Sequence, residues 1–196
     1  MVSTQGRNLA AAIVVGLFVG EVGNFIVVDG IRLPYLLIQV NEAVYEGWYF
    51  QLFTSLFIAI PGILGVADVF FNAAAVIWLD TLLSGALRPR EYYAVFLLSG
   101  LGGNLVSLLN GPLYASFGAS GGIFGLLASA IALEFVAQRR IDYALGGWFL
   151  AVFLFSSFAL PSVDALGHLG GAVFGLAAGA ILGLLRGKQG MMSDTI

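Results

Sequence analysis

Six runs of apolar residues, each long enough to cross a lipid bilayer, constrain this chain more than any other feature of its sequence. They cover Leu9–Val28, Ile63–Gly85, Tyr92–Leu109, Ala119–Ala137, Tyr143–Leu160 and Leu166–Leu185. At about 1.5 Å per residue, a helix of such length crosses roughly 30 Å of hydrocarbon. In that solvent every backbone polar group needs an internal partner, and a helix supplies one without leaving an edge. Charged residues are 10% of the chain against 60% hydrophobic, where a soluble domain carries about 25% charged. There is too little polar surface for a soluble fold. The expectation is an all-α, multi-pass integral membrane protein, one domain over residues 1–196, with the lipid bilayer as its surroundings.

The net charge of −3 comes without a basic patch and gives no reason to expect a nucleic-acid partner. The chain has no cysteine, which removes disulfides, thiolate zinc sites and thiol catalysis. No cofactor is expected. The first run is longer than a signal-peptide core, and no A-x-A cleavage pattern follows it, so it reads as a retained span.

The runs are separated by strong breakers: Arg88-Pro89-Arg90, Asn110-Gly111-Pro112, Arg139-Arg140, Pro161 and Arg186-Gly187-Lys188. Only the segment from Asp29 to Gly62 is too long for a bare loop in a compact bundle. It mixes Asp29, Arg32, Glu42 and Glu46 with Trp48-Tyr49-Phe50, which predicts short amphipathic helices lying in the membrane interface. With six spans, seven of the eight basic residues fall on one side: Arg7, Arg88, Arg90, Arg139, Arg140, Arg186 and Lys188. Arg32 stands alone on the other. That bias places both termini in the cytoplasm, and the expected location is the cell membrane of a prokaryote.

Gly167, Gly171, Gly175, Gly179 and Gly183 form an every-fourth-residue stripe along the sixth run. Small residues in such a row let a second helix approach nearly backbone to backbone. The fourth run offers Gly118, Gly121, Gly122, Gly125, Ala128 and Ala132. The stretches 118–125 and 167–175 are weakly alike, which reads as shared packing chemistry.

Ser120 begins the fourth run and His168, the one histidine, begins the sixth. Both runs cross in the same direction, so both residues lie about a turn below the outer face. Singly, each is a packing or structural residue. Together, on helices able to touch, they place a serine hydroxyl within reach of an imidazole, the pairing of nucleophilic serine catalysis. An imidazole inside the membrane is also costly enough to mark function. Other intramembrane proteases are excluded by counting. One histidine cannot make H-E-x-x-H. Asp68 and Asp80 share one helix, roughly 18 Å apart. The lone lysine, Lys188, is far from the serine. Glu21 and Asn24 in the first run either line a water cavity or cap the span near its outer end.

Gly118-Ala119-Ser120-Gly121 with Gly122-Ile123-Phe124-Gly125, and Gly167-His168-Leu169-Gly170-Gly171, resemble the serine and histidine motifs of the rhomboid family of intramembrane proteases. Gly103-Asn104-Leu105 and Gln51–Phe57 resemble further family segments, and the likeness runs in order through nearly the whole chain. The resemblance implies a six-helix rhomboid-like bundle that cleaves transmembrane protein substrates with a Ser120–His168 dyad. It also implies an oxyanion site made by the Ser120 backbone N–H and the Asn72 amide. Phe124 stands where an aromatic would pack on the His168 ring, and Gly118 and Gly121 flank the serine. Asp68 stands where the family carries a histidine. A carboxylate cannot donate to an oxyanion, so Asp68 is expected to turn away from it, toward water or a backbone N–H. The alternatives are a non-catalytic relative that binds membrane segments, or a small transporter. A transporter would show paired broken helices or a charged pathway, and neither is present in the sequence.

Overall fold

The computed structural model describes residues 2–83, 85–139, 142–159 and 163–193. Nine helices follow one another among these residues. They are α1 (Thr4–Gly23), α2 (Leu33–Leu37), α3 (Asn41–Tyr45), α4 (Gln51–Thr54), α5 (Ile63–Leu82), α6 (Pro89–Ser107), α7 (Ser120–Gln138), α8 (Tyr143–Leu154) and α9 (Ala165–Ser193). A 3-10 turn, Leu108–Asn110, ends α6, and a π-helical turn, Phe155–Ala159, ends α8. Among the described residues, five helices are long and apolar enough to cross a membrane: α1, α5, α6, α7 and α9. The stretch Tyr143–Ser157 is apolar but shorter. The chain is thus an integral, multi-pass helical bundle.

The burial pattern inverts that of a soluble protein. Phe18, Phe70, Phe71, Ile63 and Leu184 are turned outward, while Gln39, Asn41, Gln51, Ser99, Asn104 and His168 are buried. Large apolar side chains face the lipid, and polar ones, which hydrocarbon penalises, are gathered inside.

α7 and α9 pack in parallel, and the glycine stripe is their contact. A Cβ on Gly171, Gly175 or Gly179 would lie 2.1 Å from the carbonyl oxygen of Gly121, Gly125 or Ser129 respectively. The two similar stretches read in the sequence therefore face each other. Of the small residues on the fourth run, Gly122 instead faces Phe96 of α6, and Gly118 faces Asp68 of α5. α6 closes the trio: a Cβ on Gly103 would meet the Gly167 carbonyl oxygen at 2.5 Å.

The first helix begins five residues earlier than the apolar run and leaves it five residues before Val28. Ser3 caps it, its Oγ accepting from the Gly6 N–H at 3.2 Å. The Ser3 N–H and hydroxyl both donate to the buried carboxyl of Asp80 near the end of α5. Val27–Val28 instead form a hairpin with Ile31–Arg32. Glu21 and Asn24 lie at the end of α1, whose C-cap residue is Asn24: Glu21 Oε1 accepts from the Gly62 N–H at 2.8 Å, and Asn24 Oδ1 accepts from Arg32 at 3.0 Å. The other helix ends fall within three residues of the expected ones, save α8 and the longer α9. The expected end of the fifth run, Leu160, lies outside the described residues.

The segment between α1 and α5 holds the expected short helices, α2, α3 and α4. It also holds two two-residue ladders that an all-α reading does not anticipate, Val27–Val28 with Ile31–Arg32 and Gln39–Val40 with Ala115–Ser116. Its buried amides fasten it to α6. Gln39 Nε2 donates to the Asn104 carbonyl, Asn41 Nδ2 to those of Ser107 and Gly111, and Asn104 Nδ2 to the Leu52 carbonyl and Ser55 Oγ.

At the opposite end Arg186 of α9 pairs with Glu91 of α6 and donates to the Ala86 carbonyl. The start of α1, the end of α5, the start of α6 and Arg186 therefore share one end of the bundle.

Candidate active site

Ser120 is the first residue of α7, and local backbone chemistry puts it there. Gly118 has φ +106°, a left-handed conformation that favours glycine. Its N–H donates to the Ser55 carbonyl at 2.8 Å, which pins the chain just before the helix opens. A first-turn residue has an N–H that no helix carbonyl accepts, so the Ser120 N–H is free for another partner. Gly121, next in sequence, lies against the Gly167 carbonyl at the start of α9.

His168 occupies the first turn of α9, which is fixed by Asp164. The Gly167 N–H donates to Asp164 Oδ1 at 2.8 Å and the His168 N–H to the Asp164 carbonyl at 3.0 Å. The same carboxyl accepts from Ser107 Oγ and from Asn110 Nδ2, tying the cap to the end of α6. With the glycine stripe holding α9 against α7, His168 Nε2 comes 2.8 Å from Ser120 Oγ. His168 is 5% exposed and Ser120 half-buried. On its other side, His168 Nδ1 is 2.8 Å from Ser157 Oγ.

The aromatic wall is more extensive than the sequence suggested. Phe124 contacts the His168 ring with centroids 4.6 Å apart and planes at 48°, a tilted packing rather than a parallel stack. Phe149 and Phe153 of α8 pack edge-on against Phe124, and Phe153 also reaches the His168 ring.

The two α5 positions divide. Asn72 is 6% exposed, and its side-chain Nδ2 is buried without a hydrogen-bond partner. An orphaned buried donor costs about 1–3 kcal/mol; among the described residues Gln39 Oε1, Tyr92 Oη and Ser99 Oγ are also buried without a partner. Asp68 lies one turn earlier on α5. Its carboxyl turns toward the loop that carries the serine, where a Cβ on Gly118 would lie 2.8 Å from Oδ2. The reason is space: Gly118 has no side chain, and the carboxyl fills the gap. Asp68 also neighbours the Asn72 amide, though no hydrogen bond of ordinary geometry joins them.

Sequence reasoning did not single out Ser157, Asp164, Ser107 or Asn110. Ser157 is one of a pair of serines at the end of an apolar run, with nothing in its spacing to mark it. Asp164 carried a usable signal, since an aspartate three residues before Gly167 at the head of a helix is an N-cap pattern.

The Rhomboid domain family matches residues 46–185, the larger part of the chain and all of the site. Rhomboid protease GluP of Bacillus subtilis is 27% identical over 147 residues, covering 74% of this chain and 28% of that protein. RHOMBOID-like protein 1 of Arabidopsis thaliana is 29% identical over 161 residues, covering 80% of this chain and 40% of that one. Inactive rhomboid protein 2 of Homo sapiens is 29% identical over 151 residues, covering 74% of this chain and 16% of that one. The chain spans less than half the length of each of these relatives. With the family match running through every long helix from α5 to α9, this chain belongs to the rhomboid family.

Proposed function

We propose that this protein is an intramembrane serine endopeptidase that hydrolyses peptide bonds in or near transmembrane segments of other membrane proteins. A protease and inactive proteins stand at nearly the same identity to it, so the reading rests on the site and not on the likeness. The observation that carries it is the 2.8 Å approach of His168 Nε2 to Ser120 Oγ inside the helix bundle.

Ser120 Oγ attacks the scissile carbonyl while His168 Nε2 takes its proton. The imidazolium then returns that proton to the leaving amine, and water, activated by the same nitrogen, releases the acyl group. The oxyanion is held by the Ser120 N–H and by Asn72 Nδ2, whose lack of a partner in the resting protein supports this role. No carboxylate lies on the far side of the imidazole among its hydrogen-bond partners, so the reading is a dyad. Phe124 holds the ring from one face. Gly118 and Gly121 set the position of the nucleophile, and Asp68 packs behind the loop.

The reading includes a single six-span domain. The fifth span is the apolar stretch Tyr143–Ser157. In support, its start, Asp142, lines a cavity with Leu82 and Arg186 at one end of the bundle, while its Ser157 reaches His168. The bias of basic residues puts that end, and both termini, in the cytoplasm. The membrane is the cell membrane of a prokaryote, as befits the likeness to a Bacillus subtilis protein.

The test is cleavage, after reconstitution in liposomes, of a transmembrane substrate carrying a helix-breaking residue. Ser120→Ala and His168→Ala should each lower turnover by roughly 10⁴–10⁶-fold with folding preserved. Either variant cutting at a rate near the wild type would refute the dyad, and a wild-type protein that leaves the substrate uncut would favour a non-catalytic relative that binds membrane segments.

A further inference from the structure

The mechanism uses one nitrogen of His168, and the other one is occupied. Ser157 is 4% exposed, and its Oγ lies 2.8 Å from His168 Nδ1. Phe149, Phe153 and Ser157 are spaced four residues apart, so they follow one face of α8 and of the turn that ends it. The first two pack on Phe124, and the second also reaches the His168 ring. Ser157 continues that face within the π-helical turn Phe155–Ala159. Such turns interrupt an α-helix locally and are frequent at functional sites.

We propose that Ser157 is a positioning residue that holds His168 in the tautomer protonated on Nδ1, leaving Nε2 free to receive the proton of Ser120. The inference rests on the protease reading for its direction. A neutral imidazole has one donor and one acceptor nitrogen. If Ser120 donates to Nε2, then Nδ1 carries the hydrogen, and its only hydrogen-bond partner among the described residues is Ser157 Oγ. The neutral hydroxyl thus occupies the place of a triad carboxylate. It can select the tautomer and aim the ring, but it brings no negative charge to stabilise the imidazolium. A buried Nδ1–H without it would be an unsatisfied donor, and the ring would gain population with the hydrogen on Nε2, where it blocks the base.

His168 is the one histidine of the chain, so selective ¹⁵N-histidine labelling of the whole protein in lipid nanodiscs gives one pair of ring signals. At neutral pH the wild type should show Nδ1 protonated and Nε2 not. Ser157→Ala should shift signal toward the Nε2-protonated form and lower kcat by roughly ten- to a hundredfold with KM little changed. Ser157→Thr, which keeps the hydroxyl, should restore both. A merely structural serine would not move the tautomer. A wild-type spectrum dominated by the Nε2-protonated form would overturn the inference even if Ser157→Ala fails to fold. So would a Ser157→Ala protein with unchanged spectrum and turnover. Fluorophosphonate labelling in the same preparation separates this from the protease reading. Labelled Ser120 with an unmoved tautomer in Ser157→Ala sinks the inference alone. Unlabelled Ser120 with the tautomer moved sinks the protease reading and leaves Ser157 as the group that orients the ring.

Discussion

At the scale of single residues, Asn72 and Asp68 make opposite demands on one turn of α5. An amide keeps its N–H₂ donors at any pH, while a carboxylate has none to offer. Asn72 Nδ2 is buried and unpaired, whereas the Asp68 carboxyl fills the gap left by Gly118. Asn72→Ala should therefore lower kcat by about 10²–10³, the usual cost of one oxyanion donor. Asp68→Asn keeps the shape against Gly118 and should change kcat by only a few-fold, in either direction. Turnover of both variants measured across pH checks the pair. A large loss in Asp68→Asn with none in Asn72→Ala would assign the donor to position 68. The serine and histidine were legible in the sequence because they head two apolar runs that cross in the same direction and carry matching small residues, which sets them side by side at one depth. Ser157 was not, because a serine at a helix end gains meaning only from what lies across the space; Asp164 carried an N-cap pattern, but its ties to Ser107 and Asn110 were hidden. The turn of Asp68 toward the nucleophile loop was likewise hidden. It depends on the volume that Gly118 leaves vacant, not on the chemistry of the carboxyl.

At the scale of elements, the α7–α9 contact sets the distance between the Ser120 and His168 side chains. The carbonyls of Gly121, Gly125 and Ser129 lie where a Cβ on Gly171, Gly175 and Gly179 would go. Backbone cannot yield as a flexible side chain can. Gly171→Ala and Gly175→Ala should each destabilise the protein by about 1–3 kcal/mol, and the leucine variants by more, with loss of cleavage. Gly146 of α8 is the control. A Cβ there meets nothing within 4 Å, so Gly146→Ala should be neutral or stabilise by about 0.4–1 kcal/mol. Thermal unfolding of the three alanine variants in one detergent decides. A Gly171→Ala protein as stable as Gly146→Ala would show that the stripe is not a close contact. The long helices could be read from sequence because bilayer thickness fixes their length and small residues mark their seams. Their ends could be read only to within a few residues. Capping by Ser3 and the hairpin after Asn24 override the hydropathy of Phe25-Ile26-Val27-Val28. The segment between α1 and α5 was legible in kind but not in detail, since the side-chain N–H groups of its buried Gln39 and Asn41 donate to α6 and its following turn, more than sixty residues away.

At the scale of the whole molecule, the bundle places Ser120 and His168 near one end and the Arg186–Glu91 pair near the other. Seven of eight basic residues belong to that second end by sequence. The absence of native cysteine allows single cysteines to report sidedness. In intact cells, a cysteine replacing Leu113, which is 90% exposed in the loop before α7, should react with a membrane-impermeant maleimide. One replacing Gln5 should react only after permeabilisation. The reverse pattern would invert the topology and put the site on the cytoplasmic side.

The central claim is that Ser120 is a nucleophile made reactive by His168. Intact-mass and peptide mapping after treatment with a fluorophosphonate probe test this most directly, since phosphonylation needs an activated hydroxyl but no knowledge of the substrate. A single adduct on Ser120 is expected, absent in Ser120→Ala and reduced to background in His168→Ala. An unmodified wild-type protein, or an adduct that survives the loss of His168, would contradict it.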